Sequence, residues 1–162
     1  MAQVDYFLKI PGVDGESMDD KHKGEIEVES FSWGETQAGT SGHGAGAGAG
    51  KVVPQDFHFV KKLDKGSARL FIACATGEHF KTATLTGRKA GGGQQEYLKV
   101  TMEDVLVSSY QTGGSKEGGV VPTDQVSLNI GKLEFSYKEQ KPDGSLGGEV
   151  KHKYDFGANK KV

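Results

Sequence analysis

The sequence predicts a mainly β fold: a small β-barrel of two packed, antiparallel-rich sheets, with one short flanking α-helix and a long Gly/Ala-rich loop. Three observations lead there. Apolar residues mostly alternate with polar ones, and β-branched and aromatic types crowd the alternating runs. Two of those runs change phase midway, which bent strands at the corners of a small barrel do. Only one segment carries helical spacing. The 162 residues suit one domain, spanning 1–162, with a core that needs no disulfide or metal.

The alternation places strands near Val4 to Ile10, Glu25 to Glu35, Val53 to Lys62, Lys81 to Lys89, Gln95 to Gln111, Asp124 to Glu139 and Val150 to Phe156. In the second run Ile26 and Val28 share one face, while Phe31 and Trp33 fall on the other parity. In the sixth, Val126, Leu128 and Ile130 give way across Gly131 to Leu133, Phe135 and Tyr137. An apolar face stays buried through such a change if one extra residue bulges out, so Ser30 and Gly131 are the expected bulges. Leu70, Phe71, Cys74 and Ala75 instead recur at helical spacing. Asp64 or Ser67 is suited to cap that helix and Gly77 to end it, and its narrow apolar stripe predicts a helix lying outside the sheets.

Glycine numbers 25, far above ordinary usage, and much of the surplus sits between Gly39 and Gly50. This alternation of glycine and alanine buries too little apolar surface to order itself alone. Two readings of it stay open, a flexible linker and a loop that docks on a neighbouring chain. The docking reading takes in Thr36, Gly39, Gly42, His43, Gly46, Gly48, Gly50 and Lys51.

Charge excludes several classes of partner. A formal net charge of -2 and a pI near 6.2 offer no basic field for nucleic acid or an anionic membrane. No apolar stretch approaches the roughly 20 residues that span a bilayer. The N-terminal decapeptide lacks a basic start, a long apolar run and a small-residue cleavage site, so export without a cleaved leader is expected. The single Cys74 forms no intrachain disulfide, in keeping with folding in a reducing cytoplasm.

No catalytic constellation stands out. The run ending in Gly50-Lys51 fails as a phosphate-binding loop: Ala45 takes the first glycine position, Val52 the place of the Mg²⁺-binding hydroxyl, and the flanks read as strands. His22, His43, His58, His79 and His152 show no metal-ligand spacing, and neither a metal nor a cofactor is expected. Asp56 and His58 read as solvent-facing residues opposite Phe57 and Phe59. Cys74 with His79 would make a nucleophile and base, but Cys74 lies on the apolar side of its helix, where burial raises a thiol's pKa. Asp19 with Asp20, and Glu103 with Asp104, read as turn and surface charge. The chain is expected not to be an enzyme.

Dispersed segments carry a resemblance. Phe7-Leu8-Lys9-Ile10, Gly15-Glu16-Ser17, Phe31-Ser32-Trp33-Gly34, the Gly/Ala-rich loop before Lys51-Val52, Gly77-Glu78-His79-Phe80, Arg88-Lys89-Ala90-Gly91-Gly92, Glu96-Tyr97-Leu98 and Val105-Leu106-Val107-Ser108-Ser109 occur in an order, and a total length, that resembles the haemolysin-coregulated protein (Hcp) family of type VI secretion systems. The resemblance implies a barrel-like subunit that assembles head to tail into homohexameric rings, stacked as the inner tube of a contractile machine. It implies a spike protein, a contractile sheath and effector proteins carried in the lumen as partners, and passage from the bacterial cytoplasm to the outside or into target cells. No effector-bearing C-terminal domain of the kind some relatives carry is expected. Within that picture Phe31 and Trp33 should point into the core and Ser32 into the lumen, since alternate residues face opposite sides of a strand.

Two other classes compete. A monomeric ligand-binding β-barrel would use Trp33, Tyr97 and Tyr137 to stack a ligand. A small hydrolase would work through His58 or His79.

Overall fold

A computed structural model describes residues 4–37, 51–89 and 93–162. Eleven strands and one helix follow in the order β1 Val4–Lys9, β2 Ile26–Val28, β3 Ser30–Ser32, β4 Glu35–Gln37, β5 Val52–Pro54, β6 Phe57–Lys62, α1 Ser67–Thr76, β7 His79–Lys89, β8 Glu96–Gly113, β9 Thr123–Gln140, β10 Leu146–Asp155 and β11 Lys160–Lys161. All the ladders are antiparallel. One path runs β11-β10-β9-β8-β7-β1-β2, while β3 pairs with β6 and β6 with β9. Because β2 continues into β3, the pairings make a circuit: β1 to β2, β3 to β6, β6 to β9, β9 to β8, β8 to β7, and β7 back to β1. The mainly β, two-sheet fold with a flanking helix is what the alternation predicts.

The circuit encloses the core. Leu8, Ile26, Phe59, Leu70, Leu85, Met102, Val105, Val126 and Leu128 are completely buried. At roughly 1.5–3 kcal/mol for each large apolar side chain removed from water, these positions dominate the stability of the fold. They come from every strand of the circuit except β3, whose Phe31 is half-buried against the same cluster.

The two changes of phase are resolved in ways that differ from bulges at Ser30 and Gly131. The run from Ile26 breaks at Glu29: β2 pairs with β1, and after the break β3 pairs with β6, the Glu29 N–H donating to Val60 O at 2.8 Å. The chain changes partners, so no extra residue is needed. At Gly131 the register with β8 is unbroken, with Glu103 opposite Lys132 and Val105 opposite Ile130. Here both strands change face on the same rung. Met102 and Leu133 are buried on one side of it, Val105 and Ile130 on the other, and Asp104 absorbs the rotation with φ of +56°. A Cβ on Gly131 would sit 3.0 Å from the Asp104 Cβ, a tight contact that glycine avoids. The true shifts of register in β8 lie between Val107 and Ser109, and where Leu98 and Glu96 face Gly87 and Arg88.

Helix α1 packs against β8 through Leu70 and Ala73. Gly77 ends it in the left-handed conformation, φ +68°, as expected. Its start departs from expectation, because Gly66 is the N-cap and no side chain caps the helix. Asp64 and Ser67 shape the preceding turn instead: the Asp64 N–H donates to Ser67 Oγ at 3.0 Å and the Gly66 N–H to Asp64 Oδ1 at 2.9 Å. Phe71, expected on the apolar stripe, is 57% exposed. The stripe turns toward Leu70 and Ala73 because Ala73 lets the helix approach the sheet.

Candidate functional site

The sheet formed by β3, β6, β9 and the end of β8 presents two unlike faces. Inward, Phe31 stands opposite Phe59 and Phe59 opposite Val126. Phe31 stacks on Phe57 with ring centroids 5.7 Å apart and meets Tyr6 edge-on at 5.1 Å. Outward, one rung carries Ser32, His58, Ser127 and Ser109, and the next Ser30, Val60, Gln125 and Gln111. These eight positions hold no carboxylate, lysine or arginine. His58 Nδ1 and Ser127 Oγ are hydrogen-bonded at 3.1 Å, and at the rim Asp56 accepts from Ser108 Oγ at 2.6 Å and Asn129 Nδ2 at 3.2 Å. Ser32 is exposed on this face, while Phe31 and Trp33 pack on the core, as the alternation predicts. The other members were legible only as alternation, in Gln125-Val126-Ser127-Leu128 and in His58 between two phenylalanines. Nothing in the sequence alone brings them onto one rung.

The outer face of the first half of β8 and the second half of β9 is different in kind. There Lys99, Ser136 and Lys151 share a rung, followed by Thr101, Glu134 and Lys153. Charge is thus segregated between the two outer faces of one bent ribbon.

The stem of the Gly/Ala-rich loop is a separate two-stranded ladder, Glu35 opposite Pro54, Thr36 opposite Val53 and Gln37 opposite Val52. Thr36 and Lys51 are exposed. The remaining loop positions expected to dock on a neighbour, Gly39, Gly42, His43, Gly46, Gly48 and Gly50, lie outside the described residues, as do Ala90 to Gly92.

Several residues that carry the family resemblance meet around Phe7. Arg88, only 3% exposed, donates to Asp19 through both terminal nitrogens, at 3.0 and 2.6 Å, and lies 4.9 Å from the Phe7 ring centroid. That bidentate bond holds the Asp19 carboxyl well below the usual carboxylate range. His22 stacks on Phe7 at 4.4 Å, with Glu25 Oε2 2.9 Å from one ring nitrogen and Glu96 Oε1 2.7 Å from the other. Together they tie the segment from Gly15 to Glu25 to β7 and β8. Arg88 and Glu96 therefore serve the fold.

Among the described residues the considered nucleophiles and bases do not converge on a substrate. Cys74 packs half-buried against the core, whereas His79 is exposed and faces Asp104 at 3.2 Å. Asp19 is committed to Arg88, and Glu103 pairs with Lys153 at 3.1 Å. Of the aromatic groups of the ligand-binding alternative, Trp33 stacks on neither Tyr97 nor Tyr137. Trp33 tilts over Phe156 at 6.5 Å, while burial and a hydrogen bond with Tyr6 push the Tyr97 phenol upward. The densest polar cluster is sealed: Lys61 Nζ donates to Asp124 Oδ2 at 2.8 Å, Asp64 Oδ1 at 2.7 Å and Ser67 Oγ at 2.9 Å, and Lys61 and Asp124 have no exposed side-chain surface. No substrate reaches it.

Comparison with known proteins agrees with this geometry. The family model described as "Type VI secretion system effector, Hcp" matches residues 7–137. Protein hcp1 of Pseudomonas aeruginosa is 47% identical over 158 residues, which cover 96% of this chain and 97% of that one. The crystal structure of Hcp1 from Salmonella typhimurium is 40% identical and superposes with a TM-score of 0.83 over 100% of both chains. A structure titled as a type six secretion system protein superposes at 0.92 with 31% identity, covering 99% of this chain and 100% of that one. A model match over most of the chain, with identity this high at nearly full length, makes the chain a member of the Hcp family of type VI secretion system proteins.

Proposed function

We propose that this chain is a structural subunit of the type VI secretion inner tube, assembling into hexameric rings that stack, are expelled and carry effector proteins in their lumen. The observation that carries this reading is the uncharged polar face of Ser30, Ser32, His58, Ser109, Gln111, Gln125 and Ser127. A conduit that must release many passengers needs a wet wall without fixed charge or large apolar patches, because either would hold cargo. This face lines the lumen in the proposed ring, and Ser32 touches cargo. The spike protein, the contractile sheath and the effectors are the partners of that assembly, the chain itself performs no catalysis, and it passes from the cytoplasm to the exterior.

Negative-stain electron microscopy of the purified chain tests the reading. Annular particles with an open centre are expected, and globular monomers at high concentration overturn it in favour of a monomeric barrel. Ser32→Glu then tests the lumen assignment: rings persist, and co-purification of a small effector falls. Loss of the rings themselves would assign Ser32 to a subunit contact.

A further inference from the structure

We infer that subunits join through opposite margins of one sheet, the basic edge of β10 and β11 in one copy seating on an acidic groove beside β1 and β2 in the next. The inference rests on the ring assembly proposed above and names the two surfaces that build it.

The groove has a volume of about 430 Å³ and is lined by parts of β1, β2 and the turn after β6. Acids outnumber bases there five to one: Asp5, Glu16, Glu27, Glu29 and Asp64 against Lys62. Asp5, Glu16 and Asp64 already have partners within the chain. Glu27 and Glu29 form no ion pair among the described residues and are exposed. Val4 and Leu63, 40% and 42% exposed, give the same groove an apolar part.

The other margin is its counterpart. The strand path ends at β2 on one side and at β10 and β11 on the other. Residues 4–29 contain eight acids and three lysines, residues 146–161 four lysines and two acids. Lys151, Lys160 and Lys161 are exposed and form no ion pair among the described residues. Along its outer edge β10 has strand partners only at Tyr154 and Asp155. Beyond Leu133 the ribbon also keeps a core-like pattern where this chain supplies no cover. Phe135, Tyr137 and Val150, which share the face of buried Met102 and Leu133, are 45%, 45% and 61% exposed.

The basic margin therefore offers an open strand edge and the acidic one a groove, each beside exposed apolar surface, and the two carry opposite charge. Surfaces that differ and complement one another give a head-to-tail contact, which closes into a ring when its rotation allows. An edge strand left bare is also an aggregation hazard that such a contact removes.

Charge reversal tests the pairing in the full-length chain. Glu27→Lys with Glu29→Lys is one variant, Lys151→Glu with Lys161→Glu the other. All four positions are exposed, and circular dichroism checks that both variants fold. Sedimentation and electron microscopy at low salt should show that each variant alone falls from rings to monomers, whereas an equimolar mixture regains rings, because each reversed edge meets a reversed partner. Rings of the unaltered chain should also weaken as salt is raised to about 1 M, where the screening length falls to roughly 3 Å. Variants that each form rings like the parent overturn the inference and leave the ring assembly standing. A mixture that fails to recover shows that the two margins do not meet, and also overturns it. An unaltered chain that never forms rings removes the ring proposal itself, and the inference with it.

Discussion

Lys61 and Asp124 are the costliest side chains in the molecule to misplace. Both come from strands and face the interior, where the usual occupant is apolar, and each is tolerated because the other is there. Burial alone would raise the Asp124 carboxyl, yet the bonds from Lys61 and Ser67 to its Oδ2 lower it, and the group is held below its ordinary value. A carboxyl lowered on folding adds stability that is present above the unfolded pKa of about 3.9 and is lost as pH falls through the folded value. Urea unfolding should accordingly show stability constant near neutrality and declining below about pH 4. Asp124→Ala takes from the buried Lys61 ammonium the fully buried one of its two carboxylate partners and should cost about 3–5 kcal/mol. Replacing the pair together, Lys61→Met with Asp124→Leu, should recover most of that loss. Equal losses from the single and double variants would show that packing, and not the uncompensated charge, sets the cost.

The long ribbon of β8 and β9 organises the fold because one rung, Asp104 with Gly131, turns both strands at once. Upstream of it β9 pairs with β6, downstream with β10, and the ribbon thereby joins the two arms of the nine-stranded sheet. Asp104 occupies left-handed space inside a strand, which is unfavourable for any residue with a Cβ and worst for a β-branched one. Strand propensity by itself ranks valine above glycine at this position. The backbone reverses that order: Asp104→Val should cost about 1–2 kcal/mol in chemical denaturation, while Asp104→Gly should stay within about 0.5 kcal/mol of the parent. The pairing of Asp104 with His79 enters little, since both side chains are mostly exposed. A valine variant as stable as the parent would mean that the rung turns without a left-handed residue.

Over the whole molecule, polarity is sorted by surface. One outer face is small and uncharged, another is dense in lysine and glutamate, and acidic and basic residues gather at opposite margins of one sheet. In the proposed head-to-tail tube the uncharged face would line the bore and the charged margins would form the joints. The Gly/Ala-rich loop is proposed to dock on an adjacent copy, since small residues let backbone approach backbone. Deleting Gly42 to Ala49 should leave a folded barrel, with an unchanged far-ultraviolet spectrum, and impair ring formation or stacking by electron microscopy. Assembly and secretion unchanged by that deletion would reduce the segment to a spacer.

Local periodicity alone specifies the mainly β class, most of the strands, the helix with its Gly77 stop, and the outward turn of Ser32 beside inward Phe31 and Trp33. These are local properties: a period of two or of 3.6, and a left-handed stop, are written in neighbouring residues. The family was legible for a related reason, since motifs such as Gly15-Glu16-Ser17, Arg88 and Glu96 keep their order along the chain. Contacts between distant residues are not written that way. The break at Glu29 depends on β6 being there to take over the pairing, and the left-handed turn at Asp104 on Gly131 standing across the ladder. The short β11 exists because Lys160 and Lys161 fold back on Tyr154 and Asp155. Ser32, His58, Ser127 and Ser109 become one surface only when four strands set their registers together. Pairing fixes which residues share a rung and a face, and it is settled by the packing of the whole core, which no single stretch of sequence contains.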